Sequence, residues 1–483
     1  MSSNVRQIII SGAGGSAAAV AVAMAVSLQG SGIGITLLRS PESRQLRSVE
    51  EFRGGAQGFH ARLGLDESTL YKQTNAVYGM GTRYHGLSEQ AETAFVPLGE
   101  YGLTLRLVDF HHYVAKLRAE GGGHDYNDWS IAAAAAKAGR FDPAQTGVEP
   151  ALRLVEYDLY VDHDRYVATM LKHASSHGVN IVEQAPVTVE LDATGMLESV
   201  MLADDSKLHG DFFIDCSQDR SLIRHVATGD EFQDWSSWLS CDRLISLPAQ
   251  SPTTPNLFAS IEADDSGWLS QLSTQGKTAG AFVYDSAEID DTEAVTKLAR
   301  WLPGADSGDA RVTHFRPGRY TRHWNKNCVA IGSAAAHLAP MEISSLKLAH
   351  SSILRLLGML PRSKDSPMLA AEFNRMSNAE IDSVRDYQLL RLALADRQSG
   401  QFWQKMQQTQ WPDSLQQRID LFRSRGRITP RDNEFYTKFN WISSFMNLGS
   451  WPASYDPLAD ITDEQRMRTD LARFREIVQS GAG

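Results

Sequence analysis

The N-terminal segment contains the feature that most constrains the fold, which is a strand, a glycine loop, a helix and a second strand in succession. The apolar run Gln7-Ile-Ile-Ile is followed by Ser11-Gly-Ala-Gly-Gly-Ser, by a stretch of small apolar residues and by Gly34-Ile-Thr-Leu-Leu. Two strands joined by a crossover helix form a parallel βαβ unit, which binds nucleotides at the carboxyl ends of its strands. The pattern therefore predicts an α/β fold with a dinucleotide site near the N-terminus.

The glycine loop supplies the candidate nucleotide-binding residues Gly12, Gly14, Gly15 and Ala17. Gly12 is expected to form the tight turn, and Gly14 lets a diphosphate approach the backbone amides and the positive end of the following helix. An acidic residue normally follows the second strand and binds the ribose, but Arg39 stands at that position. The sequence therefore predicts a dinucleotide site of reduced affinity. The alternative is a Rossmann-like fold that no longer binds a cofactor tightly.

Composition excludes several partners. The formal net charge of -11 disfavours binding to nucleic acid or to an anionic membrane surface, because both require a basic surface. The three cysteines are too few and too scattered for a disulfide framework or a zinc site, which suits a reducing cytoplasm. No segment reaches the roughly 20 apolar residues of a membrane span. We expect a cytoplasmic protein that contacts neither nucleic acid nor membrane.

Hydrophobic periodicity predicts a mixed middle region and a helical C-terminal part. We predict one helix over residues 158–176, with Asp162 and Asp164 as capping charges, and a small-residue helix that starts at Ser333. The alternating segments 187–191 and 199–202 predict an antiparallel hairpin or meander. From about Ser344 onward the pattern is largely helical. Further strands are predicted at residues 180–182, 211–216 and 327–332.

Four segments resemble flavin-dependent tryptophan halogenases. They are Asp211-Phe-Phe-Ile-Asp-Cys-Ser-Gln, the run from Trp324 through Gly332 to Pro340-Met-Glu342, the helix-like Asp128-Trp-Ser-Ile-Ala-Ala-Ala-Ala-Ala-Lys, and Trp441-Ile-Ser-Ser-Phe-Met-Asn-Leu-Gly. The resemblance implies an FAD-binding Rossmann-like module of flavoprotein-monooxygenase type, with an inserted mixed-sheet region and a C-terminal helical lobe. Residues 1–120 and 150–345 would form the core, and residues 121–149 and 346–483 the helical lobe.

The same resemblance implies an activity and a set of site residues. In that family, reduced FAD and oxygen oxidise a halide to hypohalous acid, which reaches a lysine beside an aromatic substrate while a glutamate assists. A flavin reductase would supply the reduced cofactor. By position, Glu342 matches the glutamate, Ser344 and Ser345 match the halide-binding turn, and Gly332 lies in a flavin-contacting segment. For Glu342 the alternative is an acid at a helix start, stabilised by the helix dipole.

The family's lysine falls on Gly79, within Asn75-Ala-Val-Tyr-Gly-Met-Gly-Thr-Arg-Tyr. Lys72 lies seven residues earlier and would need a different strand register to replace it. Of two tryptophans that the family places near the flavin, only Trp268 remains. Val49-Glu-Glu-Phe stands where the family has a small glycine-containing turn, and its side chains would crowd the flavin. The resemblance therefore predicts that ordinary lysine-mediated halogenation is lost.

Two functional classes remain open at this point. The first is FAD-linked oxidation of an aromatic or indolic substrate, without lysine-mediated halogenation. The second is a non-catalytic relative that stabilises or regulates an active halogenase-like homologue; the protein would be a homodimer or a hetero-oligomer. The adjacent histidines His111 and His112 favour a surface or core role over metal binding. The four C-terminal tryptophans fit either an aromatic pocket or a helical core: Trp403, Trp411, Trp441 and Trp451.

Overall fold

The structure is a computed structural model that describes residues 4–39, 48–55, 58–89, 92–102, 104, 107–143, 155–217, 222, 232–339, 341 and 345–481. Two of the predicted site residues, Glu342 and Ser344, lie outside these ranges. Within them, no helix is long and apolar enough to cross a membrane.

The described strands are β1 (Gln7–Ser11), β2 (Gly34–Leu38), β3 (Val49–Arg53), β4 (Val77–Gly79), β5 (Gly81–His85), β6 (Thr93–Pro97), β7 (Asp158–Asp162), β8 (Asn180–Val182), β9 (Thr188–Leu191), β10 (Leu197–Met201), β11 (Lys207–His209), β12 (Phe212–Asp215), β13 (Phe232–Asp234), β14 (Arg243–Ala249), β15 (Ala259–Asp264), β16 (Gly267–Ser273), β17 (Thr278–Tyr284), β18 (Arg311–His314), β19 (Gly318–Tyr320), β20 (Trp324–Asn325), β21 (Cys328–Ala330) and β22 (Ala336–His337).

The described helices are α1 (Gly15–Ser27), α2 (Phe59–Arg62), α3 (Glu67–Gln73), α4 (Phe110–Ala119), α5 (Ile131–Ala138), α6 (His163–Ser176), α7 (Asp291–Trp301), α8 (Ser345–Gly358), α9 (Pro367–Leu394), α10 (Gln401–Gln407), α11 (Asp413–Arg425), α12 (Lys438–Asn447) and α13 (Glu464–Gly481).

A six-stranded sheet carries the predicted nucleotide-binding unit. Its strand order is β20-β21-β12-β1-β2-β8, and β1 pairs in parallel with both β2 and β12. Helix α1 crosses between β1 and β2, and residues 17–25 of this helix are all buried because their Ala, Val and Met side chains fit closely against the sheet and against α6 and α8. The predicted βαβ opening is therefore confirmed.

A seven-stranded sheet and a small three-stranded sheet form the middle of the protein. The larger has the order β18-β14-β17-β16-β15-β5-β6, and the smaller has the order β3-β7-β4. In the smaller sheet, Gly79 of β4 lies opposite Asp158 of β7, and Glu51 of β3 lies opposite Tyr160. This antiparallel sheet brings together segments that are far apart in the sequence.

Two predicted helix starts are wrong. Residues 158–162 form β7 and not the first turn of a helix, because their side chains are buried on both faces of a strand between β3 and β4. Helix α6 begins at His163, where the Asp162 carboxylate caps it by accepting a hydrogen bond from the Arg165 amide, as a capping acid should. The helix expected at Ser333 is a single 3-10 turn over Gly332–Ala334.

The C-terminal part is helical, as predicted, and is organised around the 28-residue helix α9. Its core contains Trp403 and Trp441, which are 1% and 0% exposed, whereas Trp411 and Trp451 are half-buried against the same core. The predicted meander is also confirmed, since β9, β10 and β11 form an antiparallel sheet.

Candidate active site

The glycine loop between β1 and α1 forms a cradle at the start of the helix. Gly12 has a φ of +147°, and a Cβ at this position would lie 2.9 Å from the Cys216 carbonyl oxygen. Gly14 is the N-cap of α1, no side chain caps the helix, and its first turn contains no acid. The first-turn amides and the positive helix end are therefore directed at the loop, and the first turn itself contributes no carboxylate that would compete for them. These features fit the diphosphate of a dinucleotide.

A second glycine completes this cradle from the other side. Gly332 follows β21 with a φ of +69°, and a Cβ on it would lie 3.1 Å from the Ser16 hydroxyl oxygen in the first turn of α1. Ala17, 1% exposed, fills the contact between α1 and the sheet. The predicted residues Gly12, Gly14 and Gly332 thus converge on one place, at the carboxyl ends of the parallel strands.

Arg39, which stands where an acid would bind the ribose, is held by hydrogen bonds to the end of a neighbouring strand. Arg39 follows β2, and its amide donates a hydrogen bond to the Val182 carbonyl oxygen of β8. Its guanidinium donates to the Glu183 carboxylate over 2.8 Å. An acid therefore does stand at this edge of the sheet, but it comes from the neighbouring strand. Sequence reasoning missed Glu183 because the pairing of β2 with β8 brings it beside Arg39 from far along the chain.

The place assigned to the lysine is filled by a tyrosine. A Cβ on Gly79 would lie 2.3 Å from Tyr160 Cζ and 2.6 Å from the phenol oxygen. The Tyr160 ring is 2% exposed; its hydroxyl donates to the Gly81 carbonyl oxygen over 3.3 Å and accepts from the Ala259 amide over 3.1 Å. Burial raises the pKa of the Tyr160 phenol well above its ordinary value, so the ring remains neutral.

One buried lysine does lie near this position. Lys347, in the first turn of α8, has its ammonium 2.5 Å from Asp158 and 3.4 Å from Glu51. Asp158 is the residue that pairs with Gly79 across the small sheet. Burial alone would lower the pKa of Lys347, but the two carboxylates outweigh this effect and raise the pKa above its ordinary value. The Lys347 amine therefore stays charged and remains bound to these two carboxylates.

Sequence reasoning missed Lys347 because it looks like a solvated charge in an amphipathic helix. A signal was present: His350, one turn after Lys347 and on the same side of α8, is buried, and so are Leu346 and Ala349. A lysine next to an otherwise apolar face requires buried carboxylate partners, and the sequence alone does not show which ones they are.

The remaining predicted residues are more scattered. Ser345 is exposed at the start of α8, and the exposed Lys72 on α3 is not a substitute for a buried lysine. Trp268 lies in the core, 6.1 Å from the Phe402 ring. The adjacent histidines His111 and His112 are both buried in the core. Among the described residues, no group of acids, cysteines and histidines could hold a metal ion.

Fold and cradle together define a protein with a Rossmann-like dinucleotide-binding module. The sequence profile described as tryptophan halogenase matches residues 7–464, and the chain belongs to that family. FAD is accordingly the cofactor that the family implies for this chain. The family acts on aromatic substrates.

Similar proteins span almost the whole chain. It is 26% identical to tryptophan 7-halogenase RebH of Lentzea aerocolonigenes over 498 aligned positions, covering 95% of this chain and 92% of that protein. Among solved structures, BrvH, a flavin-dependent halogenase from Brevundimonas sp. BAL3, superposes with a TM-score of 0.93 at 26% identity and covers 99% of this chain and 97% of that one. Xcc4156, a flavin-dependent halogenase from Xanthomonas campestris, gives 0.92 at 28% identity, with 99% and 96% covered.

Proposed function

We propose that this protein uses FAD and dioxygen to oxidise an aromatic or indolic substrate without lysine-mediated halogenation. The observation that carries the proposal is the Tyr160 ring, which occupies the space that a side chain at Gly79 would need. The hydroxyl of Tyr160 already donates one hydrogen bond and accepts another, and the phenol is neutral. It therefore offers no free amine or cation to a reactive oxidant.

Lys347 does not replace the missing lysine in this proposal. Its ammonium is engaged by Asp158 and Glu51, and its raised pKa removes the free amine that could attack an oxidant. Instead, it fastens the first turn of α8, which begins at Ser345, to strands β3 and β7. We assign Lys347 a positioning role at the flavin side of the protein.

The cofactor cradle supports an active flavoprotein over a non-catalytic subunit. Gly12 and Gly14 leave the backbone of the loop open to a diphosphate, and no acid in the first turn of α1 competes for the helix end. Bound FAD would supply the oxidation chemistry. The relatives named as tryptophan halogenases support an aromatic substrate, and a separate flavin reductase would deliver reduced cofactor. Glu342 stays the candidate for accepting a proton from the substrate.

Purified protein supplied with reduced FAD, air, chloride and either indole or tryptophan tests the proposal. We expect the visible spectrum of bound flavin and an oxygenated product by mass spectrometry, with no chlorinated product. A Gly12→Val variant should lose the flavin spectrum, because the added side chain meets the Cys216 backbone. Chlorinated product from the wild-type protein would refute the loss of halogenation. Absence of flavin binding at saturating FAD, with co-purification of a halogenase-like chain, would favour the non-catalytic subunit.

Replacing Gly79 with lysine alone should not restore halogenation. The new Cβ would lie 2.3 Å from the Tyr160 ring, so the variant should be destabilised by about 2–3 kcal/mol through overpacking. We expect a lower midpoint of thermal unfolding and no chlorinated indole in the assay above.

The double variant Gly79→Lys with Tyr160→Ala is the matched control for this prediction. Removal of the ring opens the space and should recover part of the lost stability, although the hydrogen bonds to Gly81 and Ala259 are lost with it. Chlorination of indole by the single variant would contradict the prediction, because it would show that Tyr160 does not block the position.

A further inference from the structure

Two buried side chains beside the glycine loop have polar atoms without hydrogen-bond partners. His163 is 5% exposed, and neither of its ring nitrogens is hydrogen-bonded to any residue that the structure describes. Glu50 is 7% exposed, and its Oε2 accepts no hydrogen bond from those residues. The nearest approach between the two is 3.8 Å, from His163 Nδ1 to Glu50 Oε1, which is too long for a hydrogen bond. Because buried polar atoms are almost always hydrogen-bonded, these three atoms require a partner.

Their location points to the cofactor. His163 is the first residue of α6, and its Cε1 lies 3.9 Å from the place that a Cβ would take on Gly14. One turn later, the Tyr166 ring lies 3.5 Å from the corresponding place on Gly15. The first turn of α6 therefore runs beside the glycine loop, so that the positive ends of α1 and α6 lie close to the same region.

The neighbouring charged side chains do not provide hydrogen-bond partners for His163 and Glu50. Asp162 and Asp164, which flank His163 in the sequence, are both engaged by the Lys277 ammonium, at 3.1 Å and 3.4 Å. Among the residues that the structure describes, no cluster suits a metal ion. An imidazole N–H needs an acceptor and a carboxylate oxygen needs a donor. Phosphate oxygens and sugar-alcohol hydroxyls provide both kinds of group, and a dinucleotide in the cradle carries them side by side.

We propose that His163 and Glu50 form a second FAD-binding element opposite the glycine loop. His163 donates to an oxygen of the diphosphate–ribityl portion of FAD, and Glu50 accepts from a ribityl hydroxyl. This assignment rests on FAD binding by the chain. It also revises the expectation for residues 49–52, because Glu51 contacts the Lys347 ammonium while Glu50 lies toward His163 without a hydrogen bond to it.

Titration of FAD into apoprotein, followed by flavin fluorescence, tests the assignment. The variants His163→Ala and Glu50→Gln should each raise the dissociation constant for FAD by about tenfold or more, because a buried charged or polar group loses its contact with the ligand. His163→Asn should restore part of the affinity, because its amide can still donate. The control His173→Ala lies on the same helix, where His173 contacts His177, and should stay within about twofold of the wild type.

The thermal midpoint of the apoprotein separates ligand binding from a structural role. With no cofactor present, His163→Ala removes two unsatisfied nitrogens, so its apo midpoint should be equal to or above that of the wild type while the FAD-induced rise becomes smaller. A lower apo midpoint together with weaker FAD binding would make the pair structural and overturn the proposal. Unchanged FAD affinity in both variants would also overturn it. If the wild type itself binds no FAD, the proposed function fails, and this outcome differs from the two above because it is seen without any variant.

Discussion

Replacing Lys347 with methionine should lower the free energy of unfolding by about 3–5 kcal/mol, which is the usual cost of removing one partner from a buried ion pair. Methionine has a similar length and would fill the volume, but it would leave two carboxylates without their cation. Asp158 and Glu51 are 4% and 5% exposed, so water cannot replace the ammonium. Urea unfolding of the apoprotein measures the change.

A matched control separates burial from charge in this experiment. Lys364 also pairs with an aspartate, Asp192, at 2.8 Å, but its side chain is 31% exposed. Lys364→Met should therefore cost less than about 1 kcal/mol. Adding Asp158→Asn and Glu51→Gln to Lys347→Met should recover part of the loss, because neutral amides are less costly to bury than carboxylates that have lost the Lys347 ammonium. A loss below about 1 kcal/mol for Lys347→Met would show that the carboxylates find other partners.

The nucleotide-binding half of the site could be predicted from sequence because its determinants are local. Gly12 and Gly14 lie within one loop, and the strand, loop and helix that give them meaning are adjacent along the chain. Gly332 was predicted through the resemblance of a continuous segment, and in the structure it lies beside the start of α1. Patterns that span a few neighbouring residues can be predicted because they do not depend on how distant segments pair.

The chemistry beside Gly79 could not be predicted, because it depends on strand register between distant segments. Tyr160 fills the space at Gly79 only because β7 pairs with β4, and the interpretation of residues 158–162 as helical concealed that strand. Because residues 158–162 were interpreted as helical, Asp158 was also not recognised as a partner for Lys347. A run such as Asp158-Leu-Tyr-Val-Asp is buried on both faces, so its hydrophobic pattern alternates poorly and fits a helix as well as a strand.

Acidification should destabilise the protein strongly, by about 5 kcal/mol between pH 7.5 and pH 5.5. Burial lowers the pKa of five histidines that are each 5% exposed or less: to about 3 for His60 and His111, to about 4 for His112 and His323, and well below the ordinary value for His350. Neighbouring charges and hydrogen bonds modify these shifts without reversing them.

The sign of this pH dependence follows from the proton balance. Above pH 6.5 these histidines are neutral in both states, so their protonation does not affect folding. As the pH falls below 6.5, the unfolded chain takes up protons that the folded protein refuses, and each histidine removes about 1.4 kcal/mol of stability per pH unit until its folded pKa is reached. The sum for five histidines approaches about 7 kcal/mol at pH 5.5, and carboxyls with raised pKa, such as Asp386, offset part of it.

Urea unfolding of the apoprotein at pH 7.5, 6.5 and 5.5 measures the effect, and His323→Asn isolates one contribution. His323 contacts the Asn378 side-chain oxygen through Nε2 over 3.0 Å, and an asparagine amide can donate there without titrating. This variant should lose about 1.4 kcal/mol less than the wild type between pH 7.5 and 5.5. The control is His314→Asn, which removes a histidine whose side chain is 65% exposed and should leave the measured pH dependence unchanged. A wild-type stability at pH 5.5 within about 1 kcal/mol of that at pH 7.5 would mean that the buried rings become protonated without unfolding.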